Sequence, residues 1–163
     1  MNFGASISAG DILYFIHADT FPPSSYVSDI NNAIYKGYEI GRYRTKFDSP
    51  KSILKINAFF TCFDWFICYG GDQTLFITRK LFMKINGFND DMRIMEDYDI
   101  VKRAKQLAKY KIFSKAALIS ARKYDANSWR KVQSANSTIV KMYKKGATQE
   151  DMINKYKQML IYR

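Results

Sequence analysis

Residues 11–20 of this 163-residue chain read Asp-Ile-Leu-Tyr-Phe-Ile-His-Ala-Asp-Thr. A short continuous apolar run between polar residues is typical of a strand that is buried on both faces. The stretch therefore predicts a central strand of a parallel or mixed sheet, over Ile12–Ile16, and with it an α/β fold. Asp19 leaves the end of this strand, where open α/β sheets place their ligands.

Asp19 has two possible roles on the local sequence. As a hard oxygen ligand it would hold a divalent cation, and that cation would neutralise a bound diphosphate. As a turn residue it would only cap the backbone that follows the strand. The local sequence leaves both interpretations open.

The rest of the chain alternates predicted helices and strands. Helices are expected from Ser24 or Ser25 to about Lys36, over 52–66, 79–85, 95–109 and 127–145, and after Thr148, which begins a capping box with Asp151. Strands are expected over 38–47, 74–78, 111–114 and 117–122. No repeat or low-complexity linker interrupts this order. We therefore expect one domain over residues 1–163, with a sheet-containing core at 1–124 and a helical extension at 125–163.

The chain is basic, with 26 Lys and Arg against 15 Asp and Glu and a formal net charge of +11. Such a charge favours an anionic partner, which could be a nucleotide diphosphate, an acidic membrane surface or a nucleic acid. The acids cluster at predicted strand ends and no nucleic-acid-binding motif is present, so a nucleic-acid partner is not expected.

Two cysteines, Cys62 and Cys68, match no metal or redox spacing and are expected to be reduced thiols. No signal peptide is recognisable at the start, and the most apolar stretch, 56–69, is interrupted by polar residues and shorter than the roughly 20 residues that span a bilayer. These features predict a cytoplasmic protein. A peripheral contact with the inner face of the membrane stays open.

Two acids, Glu96 and Asp97, begin a predicted helix. A carboxylate there could deprotonate an attacking hydroxyl, or could simply interact with the helix dipole. Adjacent positions point in different directions, so one acid could act as the base and the other as its support.

Two further segments carry weaker signals. The pair Gly70-Gly71, followed by Asp72, permits a close backbone approach to a ligand, although such pairs more often only form turns. Arg122 and Lys123 follow a predicted strand and could bind phosphate oxygens, or could be a solvated surface pair.

In this order, the motifs resemble family-two glycosyltransferases, which have the GT-A fold. The resemblance covers residues 2 to about 145. Its elements are Asn2-Phe3-Gly4-Ala5, Ala9-Gly10-Asp11-Ile12-Leu13, His17-Ala18-Asp19-Thr20, Gly70-Gly71-Asp72-Gln73, Phe76, Arg79, Phe82, Gly87-Phe88, Met95-Glu96-Asp97 and Ser120-Ala121-Arg122-Lys123-Tyr124.

The resemblance implies a metal-dependent, inverting transfer of a sugar from a nucleotide-diphospho-sugar to an acceptor hydroxyl. Asp19 would bind Mn²⁺ or Mg²⁺ and the donor diphosphate, with His17 at the first position of the metal motif. Arg122 and Lys123 would also contact the diphosphate. Many relatives have Asp where this chain has His17, but the branch it resembles also carries His-Ala-Asp.

On the acceptor side, the resemblance implies that Asp97 is the catalytic base and Glu96 its neighbour in the motif. Gly70, Gly71 and Asp72 would lie beside the pocket for a glycan or lipid-linked acceptor.

Relatives begin with a further segment that holds the nucleotide base and ribose. We therefore expect this chain to be a partial GT-A fold that lacks its N-terminal half. The strand at Ile12–His17 would then have an open edge, which predicts self-association, most simply as a homodimer. The competing expectation is that the N-terminal helix or the C-terminal helices fold over the gap. The alternative to an enzyme is a non-catalytic interaction domain derived from a glycosyltransferase.

Overall fold

The computed structural model describes residues 1–69 and 74–161. Within these ranges the protein is a mixed α/β structure, in which helices flank a five-stranded sheet. The strands are β1 (Ile12–Phe15), β2 (Thr20–Phe21), β3 (Tyr38–Asp48), β4 (Leu75–Thr78) and β5 (Lys109–Ser120). The helices are α1 (Asn2–Ile7), α2 (Tyr26–Tyr35), α3 (Ser52–Phe60), α4 (Arg79–Lys84), α5 (Glu96–Ala104), α6 (Lys123–Ala126), α7 (Trp129–Lys144) and α8 (Gln149–Met159), with a 3₁₀ helix at Phe66–Cys68.

The strand order is β1-β4-β3-β5-β2. The prediction of a central strand at Ile12–Ile16 is wrong, because β1 pairs only with β4 among the described strands and lies at the edge of the sheet. Its apolar run is explained by packing on both faces. Leu13 and Phe15 contact one hydrophobic cluster, whereas Ile12 and Tyr14 contact another. Covering both faces of a strand requires apolar residues at consecutive positions.

The long strands β3 and β5 pair in parallel and form the middle of the sheet. Two short strands were predicted between residues 111 and 122, but the structure has the single strand β5. Its register shifts, since Phe113 pairs with Tyr43 whereas Ala116 pairs with the next residue, Arg44. The two intervening residues form a bulge, which bends the strand and breaks the alternation that a sequence pattern can detect.

The core lies on both faces of this sheet. On one face, α1, α4 and α5 contribute to a cluster that includes Ala5, Ile40, Ile77, Phe82, Phe88 and Ile100. On the other face, α2 contributes to a cluster that includes Ile30, Ala33, Tyr43, Phe76 and Phe113. Residues of neighbouring strands belong to both clusters, so apolar contacts cover both faces of the sheet.

Helix α3 ends at Phe60, six residues earlier than the predicted end at Phe66. Buried Arg42 explains this, because its guanidinium donates to the carbonyl oxygens of Thr61 at 2.8 Å and Phe63 at 3.2 Å. The Oγ1 atom of Thr61 also accepts from the backbone N–H of Thr45 at 2.9 Å. These hydrogen bonds tie the chain to the sheet and redirect it before the helix can continue.

Helix α5 is also shorter than the predicted range 95–109. The backbone N–H groups of Leu107 and Ala108 both donate to the carbonyl of Ala104, which closes the helix and turns the chain into β5.

Local capping signals were more informative. As predicted, Thr148 caps α8, with its Oγ1 accepting from the backbone N–H of Asp151 at 3.1 Å.

After β5 the described chain is helical. Helices α7 and α8 pack against each other and, through a cluster that includes Ile139, Val140 and Met152, against Met95 at the start of α5. The C-terminal helices therefore reach the segment that carries the two predicted catalytic acids. In the described ranges, no helix combines the length and apolar content needed to cross a bilayer.

Candidate functional site

A cleft of about 510 Å³ opens between the end of the sheet and the C-terminal helices. Its wall combines the first turn of α5, the ends of β3 and β5, the segment after α3, and one face each of α7 and α8. Aromatic rings and polar groups line it, among them Phe60, Trp65, Tyr98, Tyr124, Trp129, Tyr156, Gln133 and Asn136. Apolar clefts with a few convergent polar groups are the usual form of small-molecule sites.

Glu96 and Asp97 both line this cleft, in the first turn of α5. The residue before them, Met95, has a left-handed φ of 69°. This backbone conformation is unusual for a side chain of that size, and the burial of Met95 against Ile139 and Met152 supports it. The turn at Met95 thus presents the two acids to the cleft at the N-terminal, positive end of the helix dipole of α5.

The loop before Met95 is held by the last helix. The side-chain oxygen of Gln149, the first residue of α8, accepts from the backbone N–H groups of Arg93 at 2.9 Å and Ile94 at 3.1 Å. A helix more than fifty residues away in sequence therefore sets the entry into α5. No local sequence pattern predicts this contact.

The third acid of α5, Asp99, does not line the cleft and has a structural role. Its carboxylate forms an ion pair with Arg103, at 2.7 Å. The guanidinium of Arg103 also donates to the carbonyl oxygens of Ile85 and Gly87. These contacts anchor α5 to the turn after α4 and hold its first turn in place.

Asp19 and Arg122 lie together, as the expectation of a shared phosphate site requires. The short strand β2 pairs Thr20 with Ile119 of β5, which brings the loop after β1 to the end of β5. There, Nη2 of Arg122 lies 3.2 Å from Oδ2 of Asp19. Both side chains are accessible, with exposed fractions of 79% for Arg122 and 44% for Asp19. An ion pair this exposed is weak and can open for a ligand.

His17 is exposed in the same loop, and its carbonyl accepts from the backbone N–H of Thr20 at 3.0 Å. Residues 1–69 and 74–161 contain no group of three or more His, Cys, Asp or Glu side chains that could enclose a metal ion. Mg²⁺ bound to nucleotides, however, takes one or two protein carboxylates and completes its shell with phosphate oxygens and water. The exposed carboxylate of Asp19 fits that kind of shared site, and the role of His17 stays a prediction.

Lys123 belongs to the cleft, while the adjacent Arg122 faces Asp19. The ammonium of Lys123 lies 5.5 Å from the ring centroid of Tyr156. The end of β5 therefore joins the two parts of the candidate site: Asp19 and Arg122 lie outside the cleft lining, and Lys123, Glu96 and Asp97 lie within it.

Helices α7 and α8 also line the cleft, which the sequence did not predict. Trp129, Gln133 and Asn136 follow a spacing of four and three residues, which places them on one face of α7. Asn136 accepts from the hydroxyl of Tyr156 at 3.2 Å, and this bond joins the two helices at the cleft wall. The spacing was visible in the sequence, but nothing local indicated which way that helix face would point.

Gly70, Gly71 and Asp72, the predicted acceptor-side residues, lie outside the described residues. Cys68, close before them, lines the cleft and is buried. A second cleft, of about 380 Å³, lies beside α2 and β5 and is lined in part by Lys36, Arg44 and Lys111. It contains none of the predicted site residues, so the larger cleft is the candidate site.

Comparison with protein-family models and with curated protein sequences finds no match to this chain. The family resemblance therefore remains an expectation that rests on sequence motifs. The geometry is independent of it: two adjacent acids, several aromatic rings and a lysine surround one cleft, and an acid–arginine pair lies beside the same end of β5.

Proposed function

We propose that this chain carries the metal-binding and acceptor side of a GT-A glycosyltransferase, which transfers a sugar from a nucleotide-diphospho-sugar to an acceptor hydroxyl. The observation that carries the proposal is the location of Glu96 and Asp97 in the wall of an aromatic cleft that Lys123 also lines. Sugar rings stack on aromatic faces, and a transfer between oxygens needs a proton acceptor at the attacking hydroxyl.

In the proposed mechanism, Asp97 accepts the proton of the acceptor hydroxyl as its oxygen bonds to the anomeric carbon of the sugar. The bond from that carbon to the diphosphate oxygen breaks in the same step, and the nucleoside diphosphate leaves. A single displacement of this kind inverts the anomeric configuration. Glu96 supports Asp97, and the left-handed turn at Met95 holds both acids in place.

On the donor side, Asp19 would hold Mn²⁺ or Mg²⁺ together with the donor phosphates. When bound, the cation would neutralise charge on the diphosphate and so make it a better leaving group. Arg122, now paired with Asp19, would exchange this exposed contact for a bidentate contact with phosphate oxygens. Lys123 would add a point charge from the cleft side.

The direct test is release of nucleoside diphosphate from a panel of nucleotide-diphospho-sugars, with Mn²⁺ and a mixture of glycan and lipid-linked acceptors. Asp97→Asn keeps the side-chain shape but cannot accept the proton, so we expect turnover to fall by about two orders of magnitude or more. Asp91→Asn removes an exposed acid outside the cleft and should leave turnover unchanged.

If Asp97→Asn stays active while Glu96→Gln is inactive, the roles of the two acids are exchanged. A folded protein that binds no nucleoside diphosphate by calorimetry would contradict the enzyme proposal. That result would instead favour a non-catalytic interaction domain.

A further inference from the structure

Helix α3 has an unusual distribution of apolar residues. Leu54 is its one buried residue, and it packs the helix onto the structure. Apolar side chains also occupy the opposite, solvent-facing side, where Ile56 is 53% and Phe59 is 61% exposed. The solvent-facing side of a helix normally carries polar residues, so the apolar residues on the outer side of α3 are expected to have a partner.

The exposed side continues past the end of the helix. We define the α3 patch as the exposed apolar residues of this segment, which are Ile53, Ile56, Phe59, Phe60, Trp65 and Ile67. Ring contacts connect its aromatic members. Phe60 lies 6.1 Å from Trp65 between ring centroids, and Phe63 stacks on Trp65 at 4.5 Å and meets Phe59 at 5.5 Å. Contiguous apolar surface of this kind marks an interaction site.

Basic side chains flank the outer side of the patch, whereas Glu96 and Asp97 lie on its cleft side. Lys55 is exposed in α3, and the ammonium of Lys144 lies 5.2 Å from the ring centroid of Phe66, next to Ile67. Lys51, just before α3, is also exposed but forms an ion pair with Asp125 at 3.2 Å. Residues 51–69 contain a single acid, Asp64. Both of its carboxylate oxygens lie 2.6 Å from the ammonium of Lys105, which neutralises it.

We propose that the α3 patch docks this protein onto an anionic lipid bilayer. Apolar and aromatic groups would enter the interfacial region, where Trp is favoured, while the surrounding lysines would contact lipid phosphates. A second copy of the chain fits the patch less well, because pairing two patches would bring Lys55 and Lys144 of both copies together.

The position of the patch links it to the candidate site. Phe60, Trp65 and Ile67 belong to the α3 patch and also line the large cleft. Docking would therefore hold the cleft at the bilayer surface and select an acceptor that is anchored in lipid. This consequence rests on the proposed function. The docking itself does not, so vesicle binding and sugar transfer can fail separately.

The test is flotation of the full chain with vesicles. We expect binding to vesicles of equal parts phosphatidylglycerol and phosphatidylcholine, and weak binding to phosphatidylcholine alone. Ile56→Ser with Phe59→Ser removes two exposed apolar groups that do not line the cleft, and should lower the partition coefficient about tenfold or more. Lys55→Gln should lower it about fivefold.

A matched control is available on α1, where Phe3 and Ile7 are 77% and 70% exposed. Phe3→Ser with Ile7→Ser removes the same two residue types and should leave vesicle binding unchanged. If the chain does not float with anionic vesicles, or if the Ile56/Phe59 variant floats as well as the unaltered chain, the proposal is wrong. The proposal is also wrong if the Ile56/Phe59 variant loses self-association, measured by light scattering without lipid, but keeps its binding to vesicles.

A second measurement needs no change in the patch. Trp65 and Trp129 are the two tryptophans of the chain, so Trp129→Phe leaves Trp65 as the single indole fluorophore. The indole N–H of Trp129 is buried without an acceptor among the described residues, so Phe should be tolerated there. We expect Trp65 fluorescence to be quenched by brominated acyl chains in anionic vesicles. Absence of quenching in a folded, vesicle-bound protein would overturn the assignment of the docking surface.

Discussion

Gly41 lies in β3 between two neighbouring strands and has no room for a side chain. An added Cβ atom would lie 2.3 Å from the carbonyl oxygen of Lys111 and 2.6 Å from a ring carbon of Phe76. Gly41→Ala should therefore lower the free energy of unfolding by about 1–3 kcal/mol or more, because the sheet must shift to accept the methyl group. Urea denaturation measures this change.

Gly4 provides the matched control. It lies in the exposed helix α1, and an added Cβ atom there meets no atom within 4 Å. Gly4→Ala should raise the free energy of unfolding by about 0.5–1 kcal/mol, since Ala has the higher helix propensity. If Gly41→Ala and Gly4→Ala change the free energy of unfolding equally, the close contacts that the structure has around Gly41 are wrong.

Asp19 is the second residue whose role can be tested alone. If it holds a divalent cation with a diphosphate, Asp19→Ala should abolish the thermal stabilisation that Mn²⁺ gives in the presence of uridine or guanosine diphosphate. Asp91→Ala, which removes an exposed acid elsewhere, should keep it. If the Asp19 variant keeps this thermal stabilisation, Asp19 is not a metal ligand. It then only caps the turn after β1, as the sequence also allows.

At the scale of elements, the bulge in β5 connects the sheet to α2. It places Lys115 so that its ammonium lies 2.8 Å and 3.0 Å from the two carboxylate oxygens of Asp29. Ser25 and Tyr43 donate to the same carboxylate, at 2.8 Å and 3.0 Å. The hydrogen bond from Lys115 lowers the pKa of Asp29 most; burial opposes the shift, and Ser25 and Tyr43 add to it.

This shift predicts a loss of stability in acid. The pKa of Asp29 is lower in the folded state than its unfolded value of about 3.9, so the stabilisation is complete above about pH 5. It is lost as the pH falls through the folded pKa. Lys115→Met removes the main cause, and should reduce the difference in unfolding free energy between pH 5 and pH 3.

The control for this prediction is Lys46→Met, since Lys46 is an exposed lysine of β3 that forms no ion pair within the described ranges. It should leave the acid dependence unchanged. A Lys115 variant that loses as much stability between pH 5 and pH 3 as the unaltered chain would contradict the assignment to Asp29.

At the scale of the whole molecule, the open edge of β1 is where we expect two copies of the chain to pair. It pairs with β4 on one side, and its other side has no strand partner in the described part of the chain. Its residues, Ile12–Phe15, include no Pro or charge that would block pairing. We therefore predict a two-fold dimer through this edge, detectable by light scattering over a dilution series.

Ile16 follows β1 and is 40% exposed, so Ile16→Lys would place a charge beside the edge. It should shift the population to monomers. Val27→Lys adds the same charge at an exposed position of α2, where Val27 is 56% exposed, and should not affect association. A stable monomer of the unaltered chain at micromolar concentration would refute the dimer.

The amino-acid sequence by itself determined the elements whose signals are local. Strands β3 and β4, helices α2 and α4, and the cap at Thr148 agree closely with their predicted positions. The physical reason is that an apolar period or a capping side chain acts over a few neighbouring residues. Glu96 and Asp97 were predicted as candidate catalytic residues in the same way, from their position at the start of a predicted helix.

The tertiary structure decided which elements meet. Only packing could place β1 at an edge, form β2 against β5, or bring the face of α7 that carries Trp129 to Glu96 and Asp97. The same holds for the ion pair between Asp19 and Arg122, which are more than a hundred residues apart. Strand order and helix orientation depend on contacts between distant residues, and these contacts leave no periodic trace in either segment alone.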